Sequence, residues 1–328
     1  MERIKIGQIG TGHSHAEGKM QVLRASDRYE VVGVVEANAK LAAAALQSAA
    51  YRDVPFLTEE ELLNLPGLEA VVVETNVPDL LVAGERVIAA GKHLHLEKPG
   101  GASLPRFRRL LDTAASKHLV VQLGYMYRYN PGIQLLREVL KKGYLGEPFE
   151  IHAVMSKVVN PPSRRAFAEF AGGMMFEQGC HLIDLVIGLM GRPTRVTSYL
   201  QHVAPMDDSL ADNTLAVLEY PRAIATVKSS AMEVEGGARR HFVVCGSEGT
   251  CHVQPLDEPN VQLALSKPRD QYKKGYQEIP FGDYPRYVGD MADLARVIRG
   301  EKEPDFSYEH DLAVLEAMLT AAKMPLDR

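Results

Sequence analysis

The sequence predicts an α/β protein in two parts. A doubly wound parallel sheet occupies the first third, and an α+β portion with a large, mostly antiparallel sheet follows. Three observations lead there. Short apolar runs at 5–9, 29–35, 70–74, 93–96 and 120–123 alternate with helix-spaced segments, the rhythm of strand–helix–strand units. Beyond Gly124 the rhythm changes to longer strand-like runs joined by hairpin-like turns at Pro221-Arg222 and Ser247-Glu248-Gly249. At 328 residues the chain also exceeds one ordinary core. The expected division is 1–124 and 125–328.

Each element has a local cause. Strand 5–9 runs directly into Gly10-Thr11-Gly12-His13-Ser14-His15, and a helix over 16–25 follows. Strand 29–35 is valine-rich and ends in Glu36, ahead of an alanine-rich helix over 39–50. Thr58-Glu59-Glu60-Glu61 is a capping box opening a short helix. Strand 70–74 leads through Thr75-Asn76-Val77-Pro78 into a helix over 80–90, which Gly91 ends. Strand 93–96 closes on Glu97-Lys98-Pro99, and Pro99 stops the ladder. Ser103 and Pro105 open another helix before strand 120–123. The second part begins with Tyr127-Arg128-Tyr129-Asn130-Pro131 and a helix to about 142. Strands are expected at 149–159, 195–203, 213–220, 223–231, 239–246, 250–254 and 261–265, with final helices at 284–299 and 308–323.

Composition narrows the function. A hydrophobic share of 46% with 24% charged residues is that of an ordinary soluble protein. A net charge of -5 without a basic run argues against a nucleic-acid surface. No signal-peptide pattern or membrane-length apolar stretch is seen. Three cysteines without C-x-x-C spacing suit a reducing compartment, so a cytoplasmic protein is expected.

Chemistry concentrates in three places. Gly10 and Gly12 match the first two glycines of a dinucleotide fingerprint, where one permits the tight turn and the other lets backbone approach a pyrophosphate. His15 occupies the third glycine's place. Glu36 stands where an acidic residue takes ribose hydroxyls, and its charge favours NAD over NADP. Glu97 and Lys98 fall at the carboxyl edge of the same sheet as the glycine loop. Finally, Gly172-Gly173 precede Glu177, His181 and Asp184, whose spacing puts the last three on one helix face. The glycines would give the backbone room to approach a ligand, and a histidine beside a carboxylate is a common proton donor or acceptor.

Taken together, Gly10-x-Gly12, Glu97-Lys98-Pro99, the 127–131 segment and Gly172-Gly173…Gly179-Cys180-His181-x-x-Asp184 resemble the Gfo/Idh/MocA oxidoreductases over nearly the whole chain. The resemblance implies an N-terminal Rossmann domain and a C-terminal domain with an open sheet. It also implies a nicotinamide cofactor, a sugar, inositol or related polyol substrate, and a homodimer or homotetramer built through the sheet face. Lys98 then matches the lysine contacting cofactor and substrate, and His181 the catalytic histidine. Departures are Glu177 where aspartate is frequent, His15 for glycine, Asn76 for proline and Leu80 for histidine.

The expected reaction is hydride transfer between NAD and a secondary alcohol. Lys98, His181 and Glu177 are the catalytic candidates. Cofactor candidates are Gly10, Thr11, Gly12, His13, Ser14, His15, Glu36, Thr75, Asn76, Pro78, Glu97, Lys98 and Arg128. Substrate candidates add Tyr127, Asn130, Arg164 and Arg165 to the catalytic three. Alternatives of the same fold are an NAD-retaining glycoside-cleaving enzyme and an inactive NAD-binding sensor. The H-x-H pairs His13/His15 and His93/His95 raise metal binding, but the sequence offers no third convergent ligand, so no metal is expected.

Overall fold

The computed structural model describes residues 2–327, which form two compact units. The first contains the chain up to Met126 together with Pro285–Tyr308. The second contains Tyr127–Tyr284 and Glu309–Leu326. A single cut at Gly124 therefore does not describe the contacts. The helix Val288–Ile298, expected in the second part, packs in the first unit. Its Met291 and Ala295 join Ile4, Ile6 and Leu23 in one core, and Tyr29 Oη donates to the Met291 carbonyl at 2.7 Å. A linear reading cannot see the chain return to an earlier sheet.

In the first unit, β1 (Ile4–Ile9), β2 (Tyr29–Val35), β3 (Ala70–Val73), β4 (His93–Leu96) and β5 (Val121–Leu123) form an all-parallel sheet in the order β2-β1-β3-β4-β5. The valines of β3 are fully buried, as strands covered on both faces require. The order reverses between β1 and β3, and ligands of such sheets bind outside the carboxyl ends at that switch point. Thr58 forms the expected capping box with Glu61.

In the second unit, eight strands form one sheet. These are β6 (Pro148–Val154), β7 (Arg195–Gln201), β8 (Asn213–Tyr220), β9 (Ala223–Ser230), β10 (His241–Gly246), β11 (Gly249–Val253), β12 (Val261–Leu265) and β13 (Gly275–Ile279). Their order is β13-β12-β11-β10-β6-β9-β8-β7, antiparallel except for the parallel pair β6/β9. Edge strand β13 escapes a hydrophobic-pattern reading because Gly-Tyr-Gln-Glu-Ile buries none of its side chains. Helix Cys180–Met190 covers the face carrying Ile151, Ala153 and Ala225. The other face leaves Phe149, Tyr199 and Ile224 exposed. Among the described residues, no helix is long and apolar enough to cross a membrane.

Candidate active site

In the first unit, a cavity of about 310 Å³ opens at the carboxyl ends of β1, β2 and β3. Gly10 and Gly12 make its floor possible. Gly10 has φ +88°, and a Cβ there would lie 2.6 Å from the Thr75 nitrogen. A Cβ on Gly12 would lie 2.8 Å from Asn76 Oδ1. The loop thus packs backbone-close against Thr75-Asn76 and leaves a cradle that any larger residue would fill, as a dinucleotide site requires. Pro78 lies beyond, in the 3₁₀ turn Val77–Asp79. Ser14 is exposed at the loop.

Glu36 stands on the cavity wall. Its Oε2 accepts from Thr11 N at 2.7 Å and Thr11 Oγ1 at 2.8 Å, and its Oε1 accepts from Asn38 N at 2.9 Å. The carboxylate therefore ties the glycine loop to the helix that Asn38 caps, while keeping lone pairs for ribose hydroxyls. The sequence shows no cation near Glu36, but the fold brings Arg86 to the same cavity from helix Leu80–Ala89. Glu59 engages that guanidinium, with Nη2 at 2.8 Å from Oε2.

Beside the loop lies a buried charged cluster that the motifs did not reveal. Lys19 Nζ donates to Glu74 Oε1 at 2.8 Å, also to Glu97 Oε2, and lies 2.8 Å from His95 Nε2. Lys19 occupies the buried face of helix Ala16–Ala25 with Ala16, Met20 and Leu23. A lysine at an apolar-face position was the available signal. Pairing of Val73 with Leu96 puts Glu74 and Glu97 at neighbouring strand ends. His15 fills the third glycine's place with a ring whose Nδ1 is 3.1 Å from Glu97 Oε1. His13 Nδ1 lies 3.8 Å from Glu74 Oε2 and 3.9 Å from Glu97 Oε1. The His13/His15 pair, read from sequence as lacking a third partner, thus converges with two carboxylates.

Electrostatics follow from burial. It pushes the Glu74 carboxyl up to about 8 against the pull of Lys19. Burial raises Glu97 as well, but Lys19, His13 and His15 outweigh it and hold that carboxyl well below its usual range. Burial lowers both His13 and His15, with Glu97 opposing and Lys98 adding to the shift. Both imidazoles are therefore neutral near pH 7. Lys98 itself is buried at the end of β4, next to these rings. The predicted coincidence of Lys98 with the glycine loop's edge holds within this unit.

In the second unit, His181 is 5% exposed, and its ring meets that of Tyr127 edge-on with centroids 5.3 Å apart. The helix carrying it is not uniform. Residues Met175–Gly179 form a π-helical turn that passes into α-helix at Cys180. Such bulges are frequent at functional sites and re-aim the side chains that follow, which a 3.6-residue spacing argument misses. Glu177 is half-buried within the π turn. Gly172 and Gly173 serve packing rather than ligand approach. A Cβ on the first would meet Ala322 Cβ at 2.3 Å, and one on Gly173, at φ +46°, would meet the Ala211 oxygen at 2.5 Å.

Four residues assigned to ligands from the sequence have structural work instead. Arg128 is fully desolvated, with Nη2 at 2.6 Å from both Asp184 Oδ1 and Asp311 Oδ1, and Nε at 3.0 Å from Asp184 Oδ2. Its guanidinium is committed to those carboxylates, not to a cofactor. Asp184 also meets His310 Nε2 at 3.1 Å, so its oxygens serve these partners. Asn130 caps helix Pro131–Lys141 through Ile133 N at 3.1 Å and donates to the Leu256 carbonyl at 2.6 Å. Arg164 is buried on helix Pro161–Phe167, with Nε at 2.6 Å from Asp208 Oδ2 and Nη2 at 2.8 Å from Asp212 Oδ2. Its neighbour Arg165 is exposed. Tyr127 gives its hydroxyl hydrogen to Asp257, which Arg240 Nη1 holds at 2.7 Å, so its ring rather than its hydroxyl faces His181.

Two sequence models of a single family match this chain. One, described as an oxidoreductase family with NAD-binding Rossmann fold, covers residues 4–125, and the Gfo/Idh/MocA C-terminal domain covers 133–252. The chain belongs to the Gfo/Idh/MocA oxidoreductases. Its first unit is accordingly an NAD-binding Rossmann domain, and the glycine cradle fits that cofactor. This Gfo/Idh/MocA chain is similar to the uncharacterised oxidoreductase YdgJ of Escherichia coli, 24% identical over 96% of this chain and 94% of YdgJ. It is also similar to inositol 2-dehydrogenase of Salmonella typhimurium, 22% identical over 81% and 79% of the two chains. In fold it matches UDP-N-acetylglucosamine 3-dehydrogenase of Acidithiobacillus ferrooxidans, with TM-score 0.82, 22% identity and coverage of 98% and 97%. It likewise matches GenD2 of gentamicin A biosynthesis, solved with NAD, with TM-score 0.81, 20% identity and coverage of 98% and 94%.

Proposed function

We propose that this oxidoreductase acts on a secondary alcohol of a sugar, inositol or related polyol, with His181 exchanging the hydroxyl proton. The observation that carries the reading is the buried, ring-packed imidazole placed directly after a π turn. Relatives named inositol 2-dehydrogenase and a structural neighbour named as a sugar-nucleotide 3-dehydrogenase support the substrate class.

Bound NAD supplies the two-electron acceptor. The chain's own residues supply the rest. The His181 imidazole accepts the hydroxyl proton through a ring nitrogen and returns it in the reverse direction. Lys98, buried at the carboxyl edge of the first unit's sheet, matches the family lysine that contacts cofactor and substrate, and an ammonium in that role stabilises charge developing on an alcohol oxygen. Glu177 holds a neighbouring hydroxyl or orients the imidazole. The Glu36 carboxylate accepts ribose hydroxyls and disfavours a 2′-phosphate.

Replacing the imidazole is the direct test. His181→Ala lowers turnover by about 10²–10⁴-fold while NADH affinity, read by fluorescence titration, stays within experimental scatter. A variant that keeps wild-type turnover on a polyol oxidised by the parent removes His181 from the reaction. The reading includes a cytoplasmic location and association of copies through the sheet face that exposes Phe149, Tyr199 and Ile224. Sedimentation that finds only monomer at micromolar concentration contradicts that assembly.

A further inference from the structure

The histidines of the glycine loop and the two strand-end carboxylates meet in a way that the oxidoreductase reading does not use. We propose that His13, His15 and Glu97 form a binding site for a zinc-class divalent transition metal, with Glu74 Oε2 as a neighbouring oxygen on the His13 side.

The spacing is the first argument. Ligand atoms about 2.0–2.1 Å from a tetrahedral zinc ion lie roughly 3.3 Å from one another. Here His15 Nδ1 to Glu97 Oε1 is 3.1 Å, His13 Nδ1 to Glu74 Oε2 is 3.8 Å, and His13 Nδ1 to Glu97 Oε1 is 3.9 Å. His13, His15 and Glu97 each offer a ligand atom within 4.8 Å of the other two, and a bound ion would replace the His15 N–H that His13 Nδ1 now accepts at 3.2 Å. Two imidazoles with a carboxylate suit zinc and its first-row neighbours better than calcium or magnesium, which prefer oxygen alone.

An oxygen without a partner is the second argument. Glu74 is completely buried, and its Oε2 has no hydrogen-bond partner among the described residues. Buried polar atoms in native proteins are nearly always satisfied, so an oxygen aimed at an imidazole nitrogen calls for a ligand. The remaining oxygens of the pair are already fixed, Glu74 Oε1 by Lys19 at 2.8 Å and Glu97 Oε2 by the same ammonium. Lys19 therefore acts as the outer support that orients ligating carboxylates in metal sites.

Charge and access also agree. Ammonium groups at Lys19 and Lys98 face these rings and carboxylates, and both repel a cation. The Glu97 carboxylate, on the site itself, and the Asp290 carboxyl beyond Lys19 offset them. The His15 side chain keeps 13% exposure beside the exposed Ser14, which gives an ion a way in.

The test uses the full chain stripped with a chelator and titrated with cobalt(II), whose visible d–d absorption reports low-symmetry four-coordination. One equivalent should bind, produce that absorption, and be displaced by zinc but not by magnesium. His13→Ala and His15→Ala should each weaken binding by more than the 10–100-fold that loss of an outer-shell partner costs. Glu74→Gln, beside His13, should weaken binding by no more than that, and circular dichroism checks that each variant is folded. No d–d band at one equivalent of wild-type protein overturns the site, as does a band unchanged in both folded histidine variants. The binding readout needs neither substrate nor dinucleotide, so it stands or falls apart from the dehydrogenase reading.

Discussion

Lys19 in the first unit and Arg128 in the second are each buried among carboxylates, and the two solutions differ in what they leave over. Around Arg128 the planar fork reaches Asp184 with two nitrogens and Asp311 with one, while His310 takes a further contact on Asp184. Around Lys19 a compact ammonium satisfies one oxygen of Glu74 and one of Glu97, and the outward oxygens face His13 and His15. A fork closes its cluster, whereas a point charge leaves lone pairs pointing outward. The first arrangement serves as a structural pin. The second lies beside the glycine loop with coordinating capacity unspent.

The contrast can be broken from either side. The largest stability effect should come from Arg128→Ala, which strands two buried carboxylates and costs about 3–5 kcal/mol. A shift in the urea midpoint at unchanged slope measures it, and a loss below about 1 kcal/mol would show that the cluster is not a closed pin.

A smaller effect sharpens the other side. Burial pushes Asp290, in the field of Lys19, up to about 6. A carboxyl raised above its unfolded value of about 3.9 favours the folded state fully below that value. This advantage is lost as pH rises through the folded value, between about pH 4 and 6, and amounts to roughly 2–3 kcal/mol. Asp290→Asn should remove that fall, so the variant's stability gains on wild type across this window. Parallel stability curves for the two proteins from pH 4 to 6 would show that Asp290 does not titrate in the fold.

Much of the architecture was legible because the cues are local. Valine-rich strands, a capping box at Thr58, and glycines at 10, 12 and 91 each specify their own segment through sterics or hydrogen bonding within a few residues. Of the site, the sheet-edge placement of Lys98 and the loop geometry of Gly10 and Gly12 could be read in the same way. The reading failed where partners come from far along the chain. Arg128, Asn130 and Arg164 looked like ligand-binding groups only because Asp311, Leu256 and Asp212 are remote in sequence. The π turn at Met175–Gly179 escaped notice for a related reason, since periodicity assumes a regular helix.

By itself the sequence determined the parallel sheet, its glycine loop, the acidic end of β2 and the residue types available for proton transfer. These follow from backbone sterics and hydrophobic period, which act over short spans of chain. Only the tertiary structure decided which charges are spent and which stay open. That outcome depends on burial and on pairing between distant residues, where the cost of an unpaired charge in a dry interior selects the partner.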